Sequence, residues 1–111
     1  MSKFVVCLTT VGKESTAKKI AIFLVRKKLV ACVNILPKAT SVYSWKGKVC
    51  QDREWVLLMK TTQKRVQVLE KQLLQIHPYE LPEFVVLPVI GGSQKYLKWV
   101  EVVTKESNSL P

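Results

Sequence analysis

The sequence predicts an α+β fold of the ferredoxin-like kind: a βαββαβ sandwich with a long central hairpin and an extra C-terminal helix. Three observations carry that reading. Apolar residues change period along the chain in the order strand, helix, strand, strand, helix, strand, helix. A Lys46-Gly47 pair sits between two long strand-like runs. The 111 residues, 48% apolar and 23% charged, fit one globular domain over residues 1–111, with 1–3 and 107–111 expected to fray.

Phe4 to Leu8 is a continuous apolar run, the mark of a strand buried on both faces and so central in its sheet. Val11-Gly12-Lys13 reads as a loop. The next helix runs to about Lys28, with Ala17, Ile20, Ala21 and Leu24 along one face. Ile22 and Phe23 fall outside that stripe. Leu29 to Leu36 is the second strand, with Ala31, Val33 and Ile35 on one side and Cys32, Asn34 and Leu36 on the other. Pro37 marks an edge or a bulge. The strand resumes at Ser41 and runs through Tyr43 to Trp45. After the turn, the third strand returns through Val49 to about Thr61.

These arms, roughly 12–15 residues each, are far longer than the usual strand of about 5–6. Their distal part therefore projects beyond the core, carrying Tyr43, Trp45 and Trp55. Aromatics on a free ribbon invite pairing with another chain, so assembly with copies through these three residues is expected. Thr62 is placed to cap the second helix, whose inner stripe is Val66, Leu69, Leu73 and Ile76. Pro78 ends that helix and forces His77 toward an extended backbone. Residues 77–83 then form a stiff polar loop between two prolines. Phe84 to Leu87 is the fourth strand, with Pro88 at an edge or a bend. Gly91-Gly92 turns the chain, and Ser93 caps a last helix bearing Leu97, Val100 and Val103.

Eighteen Lys and Arg stand against eight Asp and Glu, a net charge of +10. That permits a polyanionic partner. The basic residues are scattered, however, with no run of five like charges, so nucleic acid is not an expected partner. Two relatives in element order are weak fits. An RNA-recognition domain needs Gly and aromatics on its third strand; here that strand reads Gln51-Asp52-Arg53-Glu54-Trp55. An acylphosphatase needs an arginine in its first loop, and Thr9 to Glu14 has none.

No Gly-rich phosphate loop, C-x-x-C, H-E-x-x-H or G-x-S-x-G occurs, so an enzyme is not expected. Three cysteines, odd in number and widely spaced, argue against a disulfide framework and for a reducing compartment. No long apolar stretch or lipidation signal appears, so the expectation is a cytoplasmic protein with no membrane partner.

Soft-metal donors are Cys7, Cys32, Cys50 and His77. Cys7 lies in an apolar run and reads as core. Cys32 shares a strand face with Asn34 and reads as packing or as a ligand near a cleft. Cys50 falls opposite Tyr43 on the arm, with no second donor at hand. The loop concentrates His77, Tyr79, Glu80 and Glu83. Glu54 and Lys60 share a strand face. If Lys60 is partly buried, it requires a carboxylate such as Glu54 or Glu80.

Several segments together resemble the CutA family, the divalent-cation-tolerance proteins. They are Ala31-Cys32-Val33-Asn34-Ile35, then Ser41, Tyr43, Trp45 and Gly47, then Glu54 and Lys60-Thr61. His77-Pro78-Tyr79-Glu80, Pro82-Glu83, Tyr96-Leu97 and Trp99 follow. The resemblance covers roughly Phe4 to Val103. It implies a ferredoxin-like homotrimer with exchanged hairpins, similar in shape to the PII signalling proteins. It also implies copper or divalent-cation binding and a part in metal tolerance. Cys32 and His77 are then the expected metal contacts. Asn34, Glu54, Lys60, Tyr79, Glu80 and Glu83 would shape an intersubunit cleft. The alternative is a PII-like regulator that binds a small anion near Asn34 and Lys60.

Overall fold

In the central strands, residues of one parity turn toward two helices and those of the other parity do not, and this alternation organises the fold. A computed structural model describes residues 2–106. Its elements are β1 (Phe4–Val11), α1 (Glu14–Arg26), β2 (Cys32–Trp45) and β3 (Lys48–Thr62), then α2 (Val66–Ile76), β4 (Val85–Val89) and α3 (Gln94–Val103). The sheet is wholly antiparallel, in the order β2-β3-β1-β4. This is the ferredoxin-like arrangement that the element order requires.

On the helical side, Val5, Cys7, Leu57 and Met59 pack against Ala17, Ile20 and Leu24 of α1 and Leu69 and Leu73 of α2. The expected α1 stripe is buried at all four positions. The opposite sheet face carries Val6, Leu8, Leu36, Val56, Leu58, Val85 and Leu87, and these are only half-buried or exposed. Helix α3 covers one end of that face: Tyr96, Leu97 and Val100 share a pocket of about 210 Å³ with Phe4, Val6 and Lys60.

Strand β1 ends at the Val11–Trp55 rung, so beyond it β2 and β3 pair only with each other, from Ala39–Glu54 to Trp45–Lys48. The expected projecting arm is present. At its tip Lys46 and Gly47 both have positive φ, 50° and 79°, as a two-residue type I′ turn demands. The arm contributes to the molecule's extents of 49 × 33 × 23 Å.

Several expectations are corrected. Phe4, Val6 and Leu8 are half-buried rather than buried, because no helix covers most of their face. Trp55 is not on the arm; it lies opposite Val11 and packs against the core. Strand β2 begins at Cys32 and runs through Pro37, whose missing N–H is absorbed by a register shift between Leu36 and Ala39 on this edge strand. Thr62 makes no side-chain cap, because a 3-10 turn over Gln63–Arg65 intervenes before α2. Ile76 is exposed at the last turn of α2. Lys3 is tied down: its carbonyl accepts from Gln63 N–H at 2.7 Å and its ammonium meets Glu101 at 2.6 Å. Met1 and residues 107–111 lie outside the described residues.

Candidate functional site

The loop after α2 is anchored by one buried ring. His77 leaves the helix with extended backbone, φ −76° and ψ 133°, as the following proline requires. Its Nε2 donates to the Thr10 carbonyl at 2.9 Å, and its Nδ1 accepts from the Tyr79 N–H at 3.1 Å. The two partners assign the neutral tautomer with hydrogen on Nε2. Only 8% of His77 is exposed. Burial lowers its pKa, and the Thr10 hydrogen bond and the Glu54 charge oppose that shift without cancelling it.

His77 in turn places Tyr79, whose ring meets it edge-on with centroids 4.8 Å apart. The Tyr79 hydroxyl passes over Gly12, where an added Cβ would sit 3.4 Å from it, and donates to Glu54 Oε2 at 2.6 Å. Glu54 is buried to 7% exposure on β3. Burial, then the bond to Glu54, pushes the Tyr79 phenol far above its ordinary pKa, so it remains a donor. On the arm the Tyr43 hydroxyl donates to Asp52. That bond, aided by desolvation, raises Tyr43 to about 12.

Tyr43, Tyr79 and their carboxylate partners border an open cleft of about 850 Å³ between the base of the arm and the loop, which His77 does not line. Asp52, Glu54, Glu80 and Glu83 line it, with Tyr43, Trp45 and Tyr79. Four of the chain's eight acidic residues therefore line one cleft, and Arg53 is the one basic residue on the lining among the described residues. The cleft is negative in a chain whose net charge is +10, so its local field attracts cations.

Of the expected cleft residues, Glu54, Tyr79, Glu80 and Glu83 come together here. Within one protomer Asn34 and Lys60 do not. Lys60 stands opposite Cys32, and Asn34 opposite Leu58, toward the other end of the open face. Val56 and Leu58 separate Glu54 from Lys60 along that face, and Glu54 is held by Tyr79 instead. The expected pairing of Lys60 with Glu54 or Glu80 is not formed. Among the described residues no carboxylate lies within ion-pair distance of Lys60.

Within one protomer the two expected metal contacts are also apart. Cys32 is on the rung of Lys60, whereas His77 is bonded to Thr10, on the rung of Val56. Both ring nitrogens of His77 are engaged within the protomer. Among the described residues no three His, Cys, Asp or Glu side chains are grouped closely enough to hold a metal ion. Cys32 is half-buried, its Sγ 4.0 Å from Asn34 Oδ1, and it adjoins Tyr96. Cys7 is fully buried; desolvation raises its thiol to about 11, which keeps it protonated and inert. Asp52 was not among the expected site residues, although its alternation with Glu54 on one strand face was the signal that placed it there.

The sequence model of the CutA1 divalent ion tolerance proteins matches residues 5–103. The chain belongs to the CutA1 family. It is 45% identical over 95 residues to the divalent-cation tolerance protein CutA of Thermus thermophilus, covering 86% of this chain and 92% of that one. It is also 45% identical over 101 residues to the mouse protein CutA, covering 90% of this chain and 57% of that one. The chain thus spans nearly all of the bacterial CutA and little more than half of the mouse CutA. Among solved structures, CutA1 from Oryza sativa superposes with a TM-score of 0.91 at 39% identity, covering 96% of this chain and 97% of that one.

Proposed function

We propose that this CutA1-family chain is a cytoplasmic homotrimer that binds divalent or copper ions and takes part in metal tolerance or the response to metal ions, without a catalytic step. The observation that carries the reading is the carboxylate cleft. Half of a basic chain's acids surround it, and Tyr43 and Tyr79 orient two of them. Carboxylates suit hard divalent ions, whereas the Cys32 thiol suits copper. His77 serves by fixing Tyr79; a metal on either ring nitrogen would have to displace Thr10 or the Tyr79 N–H.

Two surfaces support self-assembly. The arm extends past the core with Tyr43 and Trp45, and the open sheet face presents contiguous aliphatic side chains. Burying them against copies removes apolar area from water at about 25 cal/mol per Å². Cys7, Cys32 and Cys50 are all unpaired, which fits a reducing compartment.

Calorimetric titration of copper, zinc and manganese tests the reading, on the wild type and on Cys32→Ser and Asp52→Asn/Glu83→Gln. The carboxylate variant is expected to lose manganese and zinc binding. Cys32→Ser is expected to weaken copper binding at least tenfold. Unchanged affinities in both variants would remove these residues from any metal site.

A second reading has its own observation. The Lys60 ammonium, without a carboxylate partner among the described residues, borders the pocket under α3. That arrangement fits a regulator taking a small anion near Asn34 and Lys60. Nucleotides and carboxylates should then raise the wild-type melting temperature and leave that of Lys60→Met unmoved. No shift with any of them would dismiss this reading.

A further inference from the structure

We propose that the outer face of the helical layer is a docking surface for an anionic lipid bilayer. Helices α1 and α2 lie on the same side of the sheet, each packed into the core beside the central strands. The end of α1 and the start of α2 share one edge. There the Thr61 hydroxyl donates to the Leu29 carbonyl at 2.7 Å and the Ala31 N–H donates to the Lys60 carbonyl at 2.8 Å. Arg26, Lys27 and Lys28 at the end of α1 and Lys64 before α2 therefore belong to the same end of the helical layer, although the sequence separates them. Residues 13–28 and 63–76 together hold nine of the chain's eighteen basic residues and two of its eight acids; Arg65, largely buried and paired with Glu106 at 3.8 Å, does not add to the outer charge, which leaves eight. One of those acids, Glu14, is already paired with Lys18 at 3.7 Å.

The face is not only basic. With Ala17, Ile20, Ala21 and Leu24 turned to the core, the helical period brings Lys18, Lys19, Ile22, Val25 and Arg26 onto one outward arc. Ile22, at the centre of that arc, is 52% exposed and Val25 is 42% exposed. On α2, Val68 and Leu74 are likewise exposed beside Lys71. Aliphatic side chains ringed by lysine and arginine suit the boundary between anionic headgroups and acyl chains. A nucleic acid would satisfy the charges but leave the aliphatics idle. A single strand also calls for exposed aromatics for base stacking, whereas Phe23, the one aromatic on either helix, packs against the core. Charge also sets the orientation, because the acidic cleft belongs to the arm and the loop and is repelled by the surface that attracts the helices.

The test is co-sedimentation of the intact chain with vesicles of phosphatidylcholine alone and of phosphatidylcholine with phosphatidylglycerol. Three variants are compared, each checked for folding by circular dichroism: Ile22→Ser/Val25→Ser, Lys18→Gln/Arg26→Gln, and Lys46→Gln/Lys48→Gln at the hairpin tip. The wild type should bind only the phosphatidylglycerol vesicles. Both helix variants should lose about tenfold or more in partitioning, and the hairpin variant, with the same loss of charge as the second, should bind like the wild type. Equal weakening in the hairpin variant would show that only net charge matters and would overturn the proposal. So would undiminished binding by Ile22→Ser/Val25→Ser, or binding to duplex DNA with none to the vesicles.

Discussion

Glu54 is a buried carboxylate, and among the described residues the Tyr79 phenol is its hydrogen-bond donor. Replacing Tyr79 with Phe leaves a buried acceptor without its donor. The cost is expected to be about 1–3 kcal/mol, read as a lower urea midpoint with unchanged slope. The double variant Tyr79→Phe/Glu54→Gln should recover part of that loss. His77 gives a pH signature with a definite sign. Its pKa in the fold lies below the ordinary 6.5, so the unfolded chain binds its proton more readily. The stability that neutral His77 supplies is complete above about pH 6.5 and drains away as pH falls through its depressed value. Melting temperatures at pH 7.5 and pH 5 should therefore differ more for the wild type than for His77→Gln. The sequence marked the stiffness and polarity of this loop. It did not mark the burial of His77, because the Thr10 carbonyl that receives its proton lies 67 residues away.

At the scale of elements, the hairpin turn and the core strands carry different energies. Gly47 has φ +79° and open space where a Cβ would be. Gly47→Ala should thus cost only left-handed backbone strain, about 1–2 kcal/mol. Leu57 is fully buried in β3 between two helices and a neighbouring strand, so Leu57→Ala should cost about 2–5 kcal/mol. Chemical denaturation of both variants checks the order. Helix α1 was legible because its buried stripe is a local period. The Lys46-Gly47 turn was legible because glycine tolerates the conformation. The position of Trp55 was not, since it depends on where β1 stops pairing with β3, and that is a long-range choice. The bulge at Pro37 was readable as an irregularity, but its register shift depends on the partner strand.

Over the whole molecule, composition gave the charge of +10 and nothing of its arrangement. Folding gathers the acids at the arm and loop and leaves much of the positive charge on the helical layer, a separation that no run of like residues announces. The succession of strands and helices was legible from the change of periods, and the ferredoxin-like fold it implies has the observed sheet order β2-β3-β1-β4. The open apolar face was not legible, because β1 read as covered on both sides when Phe4, Val6 and Leu8 on one side are only half-buried. That face and the projecting arm lead to the proposed trimer, on which the intersubunit site depends. Sedimentation velocity at micromolar concentration tests this most directly. A single species of three 12.7 kDa chains, about 38 kDa, is expected. A stable species at 12.7 kDa under the same conditions would contradict it.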